Sequence, residues 1–125
     1  MTEAPNTTDP RPRVTNAADG SLVAGVRCST CGYPTTEPVT RCPVCGGATA
    51  PESFGPGGTV FSATVLRVPV PGRTPPYGLA YVDLDDGPRI LAHVRGHDDA
   101  ALIPNDRVTV AGTTEQGDPL VEPSP

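Results

Sequence analysis

The sequence Cys28-Ser29-Thr30-Cys31-Gly32 is followed by a matching motif, Cys42-Pro43-Val44-Cys45-Gly46, and the two motifs contain all four cysteines of the chain. Four thiolates in two close pairs are the ligand set of a tetrahedral structural zinc ion. The glycine after each pair can adopt the positive φ that such a tight turn requires. The spacing therefore predicts a zinc ribbon in which Cys28, Cys31, Cys42 and Cys45 bind the metal.

Two other uses of the cysteines compete with zinc. Two disulfides would need an oxidising compartment, but the N-terminus has neither the basic nor the apolar region of a secretory signal. A mononuclear iron site also suits Cys-Pro-Val-Cys-Gly, although iron usually comes with more aromatic packing and a longer gap between the pairs. We therefore expect zinc, and because four equivalent thiolates close its coordination shell, we expect a structural role.

Composition restricts the class of protein. The chain has 125 residues, 4% aromatic residues and no tryptophan, so its core must be built from Val, Leu, Ile and Ala. The net charge of −5 argues against broad electrostatic binding to nucleic acid, which needs a basic surface. All nine basic residues are arginine, so a local arginine patch is compatible with this composition. No apolar run approaches the roughly 20 residues that span a membrane. We expect a soluble, cytoplasmic protein.

The pattern along the chain divides it into four segments. Residues 1–20 are a polar tail with too little apolar surface to order, and we expect disorder. Residues 21–50 form the ribbon, with strands at Ser21–Arg27 and Tyr33–Val39. Residues 51–58, rich in proline and glycine, form a linker whose Phe54 docks on one of the two modules.

Residues 59–125 alternate with the period of β-strands and predict a small five-stranded Greek-key barrel of the OB-fold type. The fold class is thus mostly β, a rubredoxin-like zinc ribbon followed by an OB-fold barrel. A stiff, proline-rich loop at 69–76 interrupts the barrel, and one helical turn is expected at Asp98–Ile103. Phe61, Ala63 and Val65 are expected to share one face of the first strand, and Ala80, Val82 and Leu84 one side of the next. In the third strand, Ile90, Ala92 and Val94 are expected to face inward.

Catalytic motifs are scarce. The sequence contains no serine-nucleophile motif, no phosphate-binding loop and no cysteine beyond the four ligands. His93 lies on the outward face of a strand, where surface or interface histidines are common. His97 with Asp98 and Asp99 has the donors for a metal or a base, but we expect a solvated loop. The sequence argues against an autonomous enzyme.

The chain resembles the zinc-ribbon/OB-fold acyl-CoA-associated family in its order, a four-cysteine ribbon followed by a barrel. The more specific resemblance lies in the strand Gly58–Val65, the proline-rich loop and the hairpin segment Tyr77–Ile90. The resemblance covers about residues 21–123. Members of that family usually have an aromatic-containing helix before the ribbon, where this chain has its polar tail. The resemblance implies a non-catalytic accessory subunit, in a hetero-oligomer with a thiolase-like enzyme or a hotdog hydratase, that helps to hold the acyl-CoA.

Carried onto this sequence, the resemblance implies that the outer face of the barrel and the loop 69–76 meet the partner or the CoA. Tyr77, Tyr81 and Leu91 are candidates for an apolar contact patch. The candidates for the CoA phosphates or the partner are Arg67, Arg73, Arg89 and Arg95. Two alternatives remain open: a single-stranded nucleic-acid-binding protein, and a subunit that lends His93 to a shared active site.

A ribbon this small buries too little surface to be stable alone, and metal binding of order ~10 kcal/mol can supply the difference. We therefore predict that a strong chelator unfolds the ribbon, measured by the accessibility of the cysteines to a thiol reagent. Unchanged structure and unchanged cysteine accessibility after complete metal removal would contradict the prediction.

Overall fold

A computed structural model describes residues 11–17, 20–96 and 100–124. These residues form strands and turns and contain no helix, so the expected mostly-β class is confirmed. None of their elements is a helix that could cross a membrane. The strands are β1 Val14–Ala17, β2 Gly20–Cys28, β3 Pro34–Thr35, β4 Thr49–Phe54, β5 Gly57–Leu66, β6 Tyr77–Leu84, β7 Arg89–Val94, β8 Arg107–Thr113 and β9 Pro119–Pro123.

β2 is the central strand of the N-terminal sheet. It pairs with β4 along one edge, from Val23 opposite Phe54 to Cys28 opposite Thr49, and with β1 and β3 along the other edge. The strand predicted at Ser21–Arg27 is confirmed. The return strand predicted at Tyr33–Val39 is reduced to β3. Two prolines in that segment lack the N–H that a longer ladder needs, so β4 is the main partner of β2.

The prediction of a linker at 51–58 is wrong, because the segment consists mainly of β-strand. Most of it belongs to β4 and β5, and only Gly55 and Pro56 lie between these strands. Phe54, at the end of β4, is 2% exposed and packs in the same core cluster as Val23 of the ribbon and Val82 and Val108 of the barrel. Because one core serves both parts, the ribbon and the barrel are packed together rather than tethered.

Part of the expected disordered tail at 1–20 is also a strand. β1 pairs with residues 20–23 of β2, and Val14 packs against the core. The hairpin satisfies the backbone hydrogen bonds of this polar segment, and one valine supplies the apolar contact that composition alone did not reveal. Residues 1–10, 18 and 19 of the expected tail lie outside the described residues.

The five C-terminal strands close into a barrel in the order β5-β6-β7-β9-β8, with β5 and β8 paired to complete the ring. β7 and β9 are parallel, whereas the other neighbours are antiparallel. This arrangement confirms the OB-fold prediction. The inward alternation predicted for β7 is confirmed, because Ile90, Ala92 and Val94 are buried. The shared side predicted for β6 is confirmed as well, and its residues Ala80, Val82 and Leu84 are also buried.

The common face predicted for Phe61, Ala63 and Val65 of β5 is wrong at Phe61, which is 51% exposed, while Val60 beside it is buried. The register of β5 against β6 shifts between Val60 and Ser62, so two residues of β5 lie opposite Tyr81. Such a bulge moves one residue out of the alternation. Ala63, beyond the bulge, packs against the core again.

The helical turn predicted at Asp98–Ile103 is not formed in its described part. Residues 100–103 contain no helix, and Leu102 is buried in the barrel core. His97, Asp98 and Asp99 lie outside the described residues, so the solvated loop expected there stays a prediction.

The shared core predicts a single cooperative unit. Replacing Phe54 with alanine leaves a cavity between ribbon and barrel and should lower the free energy of unfolding by roughly 3–5 kcal/mol. Because β4 packs against both parts, the variant should unfold ribbon and barrel together, in one transition at a lower denaturant concentration. Denaturant unfolding followed separately at backbone amides of the ribbon and of the barrel measures this. Val44→Ala, at a side chain 66% exposed, is the matched control. Two separate transitions in the native chain would show that the parts are independent.

Candidate metal centre and barrel face

The structure brings together all four predicted ligands. The sulfurs of Cys28, Cys31, Cys42 and Cys45 lie within 4.8 Å of one another. We call the two C-x-x-C-G segments, residues 28–32 and 42–46, the knuckles. Between them, the Sγ–Sγ separations are 3.4 Å for Cys28–Cys45 and 3.6 Å for Cys31–Cys42. A disulfide is about 2 Å long, so the thiols are free. A tetrahedral ion about 2.3 Å from each sulfur places the sulfurs about 3.8 Å apart, so the geometry fits a metal ion.

Backbone N–H groups surround the sulfurs. Cys28 Sγ accepts hydrogen bonds from the N–H groups of Cys31 (3.4 Å) and Thr30 (3.3 Å), and Cys42 Sγ accepts one from Val44 (3.3 Å). The hydrogen bond from Cys31, joined by that from Thr30, outweighs burial and lowers the pKa of Cys28 to about 6. Because a metal binds the thiolate, this turn geometry prepares the ligand before the ion arrives.

The glycine that follows each pair closes its knuckle, as the sequence predicted. Gly32 and Gly46 have φ of 80° and 79°. Their N–H groups donate to the carbonyls of Cys28 at 3.0 Å and Cys42 at 2.9 Å. The two knuckles therefore have the same turn, which directs their paired sulfurs toward one centre.

The arginine before each cysteine pair binds the backbone of its own knuckle. Arg27 Nη1 donates to the carbonyl of Gly32 at 2.8 Å, and Arg41 Nη1 makes the equivalent, longer contact with Gly46 at 3.5 Å. Each arginine thus contacts the carbonyl of the glycine that ends its own knuckle, which helps to hold the turn in place.

Arg27 also reaches the barrel. Its Nη2 lies 2.8 Å from Glu52 of β4 and donates to the carbonyl of Asp86 in the β6–β7 hairpin. Its guanidinium lies over the ring of Phe54 at 5.5 Å. One side chain thus joins a knuckle, β4 and the barrel hairpin.

Three of the four candidate arginines of the barrel form ion pairs with carboxylates. Arg89 binds Asp83 at 2.6 Å, Arg95 binds Glu122 at 2.9 Å, and Arg73 pairs with Asp118. Arg67 is exposed just beyond β5. Arg89 and Arg95 flank opposite ends of β7 and are therefore about 20 Å apart along the strand direction. The structure does not gather the four into one cluster, and their phosphate-binding role stays a prediction.

His93 belongs to a polar cluster that the sequence did not reveal. Its ring stacks on Tyr77 with centroids 5.6 Å apart, and its Nε2 lies 3.6 Å from Asp118 Oδ2, the carboxylate that pairs with Arg73. Burial, followed by the charge of Arg73, lowers the pKa of His93. The loop after β5 and the β8–β9 turn cover this outward-facing residue, and no local signal connects segments so far apart in the chain.

An apolar row crosses the outside of the barrel. Phe61, Tyr81 and Leu91 are 51%, 48% and 46% exposed. Tyr81 is paired with Leu91, and Phe61 lies at the bulge opposite Tyr81. Arg89 covers the ring of Phe61 at 3.5 Å. We call Phe61, Tyr81 and Leu91 the barrel face; two of its members were predicted, while the third predicted residue, Tyr77, is half-buried against His93.

Comparison with known proteins agrees with this architecture. Residues 52–113 match the family described as "ChsH2, C-terminal OB-fold domain". A segment of 46 residues is 52% identical to the 3-oxo-4,17-pregnadiene-20-carboxyl-CoA hydratase alpha subunit of Mycobacterium tuberculosis (strain ATCC 25618 / H37Rv). This match covers 36% of the chain and 15% of that protein, so the chain corresponds to a small part of its relative.

A solved structure titled "Ltp2-ChsH2(DUF35) aldolase" has the same fold, with a TM-score of 0.66 over 82% of this chain and 84% of that chain at 24% identity. The barrel is thus similar to the ChsH2 C-terminal OB-fold domain over residues 52–113. Together these matches confirm the resemblance to an OB-fold acyl-CoA-associated family that the sequence suggested.

The contacts of Arg27 predict that the metal centre and the barrel stabilise each other. Arg27→Gln should lower both the melting temperature and the metal affinity, because it releases Gly32, Glu52 and Asp86 together. Arg41→Gln is the matched control, since it removes the equivalent knuckle contact at Gly46. Thermal unfolding and chelator competition measure the two effects. Equal changes of melting temperature and metal affinity in the two variants would contradict a coupling of the metal centre to the barrel through Arg27.

Proposed function

We propose that this chain is an accessory subunit of a hetero-oligomeric enzyme that acts on an acyl-CoA in lipid metabolism. The observation that carries the proposal is the match of the barrel to the ChsH2 C-terminal OB-fold domain. One relative is named as a hydratase alpha subunit, and the solved structure of similar fold pairs ChsH2 with Ltp2 in an aldolase. The partner is accordingly a thiolase-like enzyme (a thiolase, aldolase or acyltransferase) or a hotdog-type hydratase.

In this proposal the subunit is non-catalytic. Four thiolates complete a tetrahedral shell, so a metal held by them offers no open position for a substrate. The Nε2 of His93 is 3.6 Å from Asp118, too far for the hydrogen bond that would orient a catalytic base. The subunit stabilises its partner and helps to hold or channel the acyl-CoA, while the partner supplies the reacting groups.

We propose zinc as the metal and a structural role for it. All four donors are thiolates, and the Sγ–Sγ distances of 3.4 and 3.6 Å suit a tetrahedral Cys₄ site. Iron shares this ligand set, and metal analysis of the purified chain separates the two. Because the cysteines must stay reduced to bind a metal, a cytoplasmic location fits the site.

The barrel face is the proposed contact surface for the partner. Two exposed aromatic residues and a leucine in one row resemble the centre of a protein interface, where aromatic residues are enriched. Arg67, Arg73, Arg89 and Arg95 are proposed contacts for CoA phosphates or for the partner. Where an arginine already holds a carboxylate, as Arg95 holds Glu122, the phosphate has to compete with that ion pair.

The same row favours a second candidate function, binding of single-stranded nucleic acid. Exposed Phe61 and Tyr81 lie on strands of an OB-fold barrel and offer faces on which bases can stack. The net charge of −5 and the ion-paired arginines oppose this function, because strand binding needs a positive groove. We therefore rank it second.

Affinity purification of the tagged chain from its own cells tests both functions. We predict a stoichiometric thiolase-like or hydratase-like protein in the eluate, identified by mass spectrometry. Tyr81→Ser should reduce the recovered partner at least about tenfold, because aromatic side chains at the centre of an interface carry much of its energy. Ile103→Ser, at a side chain 65% exposed outside the barrel face, is the control.

Recovery of RNA or DNA without such an enzyme would overturn the accessory-subunit proposal and favour the second function. Equal recovery of the partner with Tyr81→Ser and Ile103→Ser would leave the subunit role intact but would remove the barrel face from the interface.

A further inference from the structure

The proline-rich loop at 69–76 is tied to the β8–β9 turn at two points. Arg73 pairs with Asp118 of that turn, and Gln116 Nε2 donates to the carbonyl of Gly72 at 2.9 Å. We call residues 69–76 the strap. Because both ties end on one turn, contacts with a distant part of the chain hold the strap closed.

A local turn inside the strap presents Arg73. The backbone N–H of Arg73 donates to the carbonyl of Val70 at 3.1 Å, and Gly72 between them has a φ of 79°. Glycine adopts this conformation without strain, so residues of the strap alone set the turn. The strap can therefore leave the β8–β9 turn while its own turn stays formed.

His93 lies beneath the strap. Its ring stacks on Tyr77, the first residue of β6, with centroids 5.6 Å apart. The side chains of Arg73, His93 and Asp118 are 18%, 16% and 19% exposed, so all three are largely withdrawn from water. Charge interactions strengthen where water is partly excluded, and a change of charge at His93 therefore acts strongly on its two neighbours.

One carboxylate oxygen faces both the strap and the histidine. Arg73 Nη2 pairs with Asp118 Oδ2, and His93 Nε2 lies 3.6 Å from the same oxygen, which is buried. A protonated imidazole is a charged donor at both nitrogens. Protonation of His93 would therefore create a second cation for this oxygen, directly beside the guanidinium of Arg73.

The titratable and charged groups around His93 come from several elements. Arg95, two residues further along the chain, is paired with Glu122 of β9. The groups packed toward the ring are Tyr77 of β6, Arg73 of the strap, Asp118 of the β8–β9 turn and Arg11, which precedes β1 and lies 3.4 Å from Asp118. Asp118 is thus the carboxylate that the structure places against His93, and it is already paired with the strap.

We propose that the strap opens when His93 becomes protonated. The imidazolium then takes Asp118 Oδ2, and Arg73 moves into solvent with the strap. The direction follows from linkage. In the closed state, burial and then the charge of Arg73 lower the pKa of His93 below its ordinary value of 6.5. A state that binds a proton more weakly loses population as the pH falls, so acid favours the open strap.

The same linkage sets the size of the response. Each unit by which closure lowers the pKa of His93 makes the opening equilibrium about tenfold larger in the protonated protein. Arg73→Gln serves as the open reference, because it removes the pair with Asp118. In this variant the pKa of His93 should be higher than in the native chain, and the strap should be mobile at every pH tested.

NMR of the metal-loaded full chain tests the proposal. The ring protons of His93 report its pKa, and nitrogen relaxation at the amides of Gly72, Arg73 and Thr74 reports the order of the strap. We expect these amides to become mobile between about pH 7.5 and about pH 5.5, with a midpoint at the pKa of His93.

Variants separate His93 from other causes of opening. His93→Gln should keep the strap ordered at about pH 5.5, because glutamine does not titrate. His97→Gln, which removes the other histidine of the chain, is the matched control and should leave the response unchanged. Gln116→Ala removes the second tie and should move the midpoint of opening to higher pH, which keeps the proposal testable if His93→Gln fails to fold.

Three results would each overturn the proposal. The first is a strap of equal order at both pH values in the native chain, the second is acid-induced opening that persists in His93→Gln, and the third is loss of the response in His97→Gln. Because the isolated chain is used, these results are independent of whether the chain copurifies with an acyl-CoA enzyme.

Discussion

The backbone ladder between β2 and β4 joins the two parts of the molecule. At one end of the ladder, Cys28, one of the four candidate metal ligands, lies opposite Thr49, and at the other end Val23 and Phe54 enter the barrel core. The pairing therefore transmits the position of the knuckles directly to the barrel. A glycine in β2 permits the close packing, because a Cβ on Gly25 would come within 2.3 Å of the carbonyl of Thr35 and 2.8 Å of the Phe54 ring.

Arginine side chains reinforce this frame. Arg27 connects the first knuckle to β4 and to the β6–β7 hairpin, and Arg107 binds Asp85 of the same hairpin through two 2.7 Å contacts. The Arg107–Asp85 ion pair lies where β5, β8 and the hairpin meet. It is next to Gly57, whose missing side chain leaves space for it. Exposed ion pairs individually contribute little, so their value here lies in fixing the geometry of the hairpin relative to the knuckle.

This arrangement gives the barrel face a rigid base. The face lies on the outside of β5, β6 and β7, and the inner sides of β6 and β7 are packed in the core. The bulge at Phe61 adds an aromatic ring to that face, and the loop after β5, held by the Arg73–Asp118 pair, covers His93. The proposed subunit role would benefit from such a preformed surface, since order present before binding lowers the entropic cost of association.

The sequence by itself determined the four candidate metal ligands and most of the barrel. The two C-x-x-C-G motifs are local, and the alternation in β6 and β7 has the period of two that one buried face imposes. Both signals lie within a few residues, so no knowledge of distant contacts is needed. The order of ribbon and barrel likewise identified the family to which the barrel is similar.

Only the tertiary structure decided the rest. The proline- and glycine-rich segment expected as a linker becomes β4 because β2 offers it an edge, and Val14 belongs to a strand because the adjacent sheet provides its partner. The bulge that exposes Phe61 and the meeting of His93 with Asp118 depend on segments distant in sequence. Composition describes what a segment can bury, whereas its neighbours in space decide whether it does so.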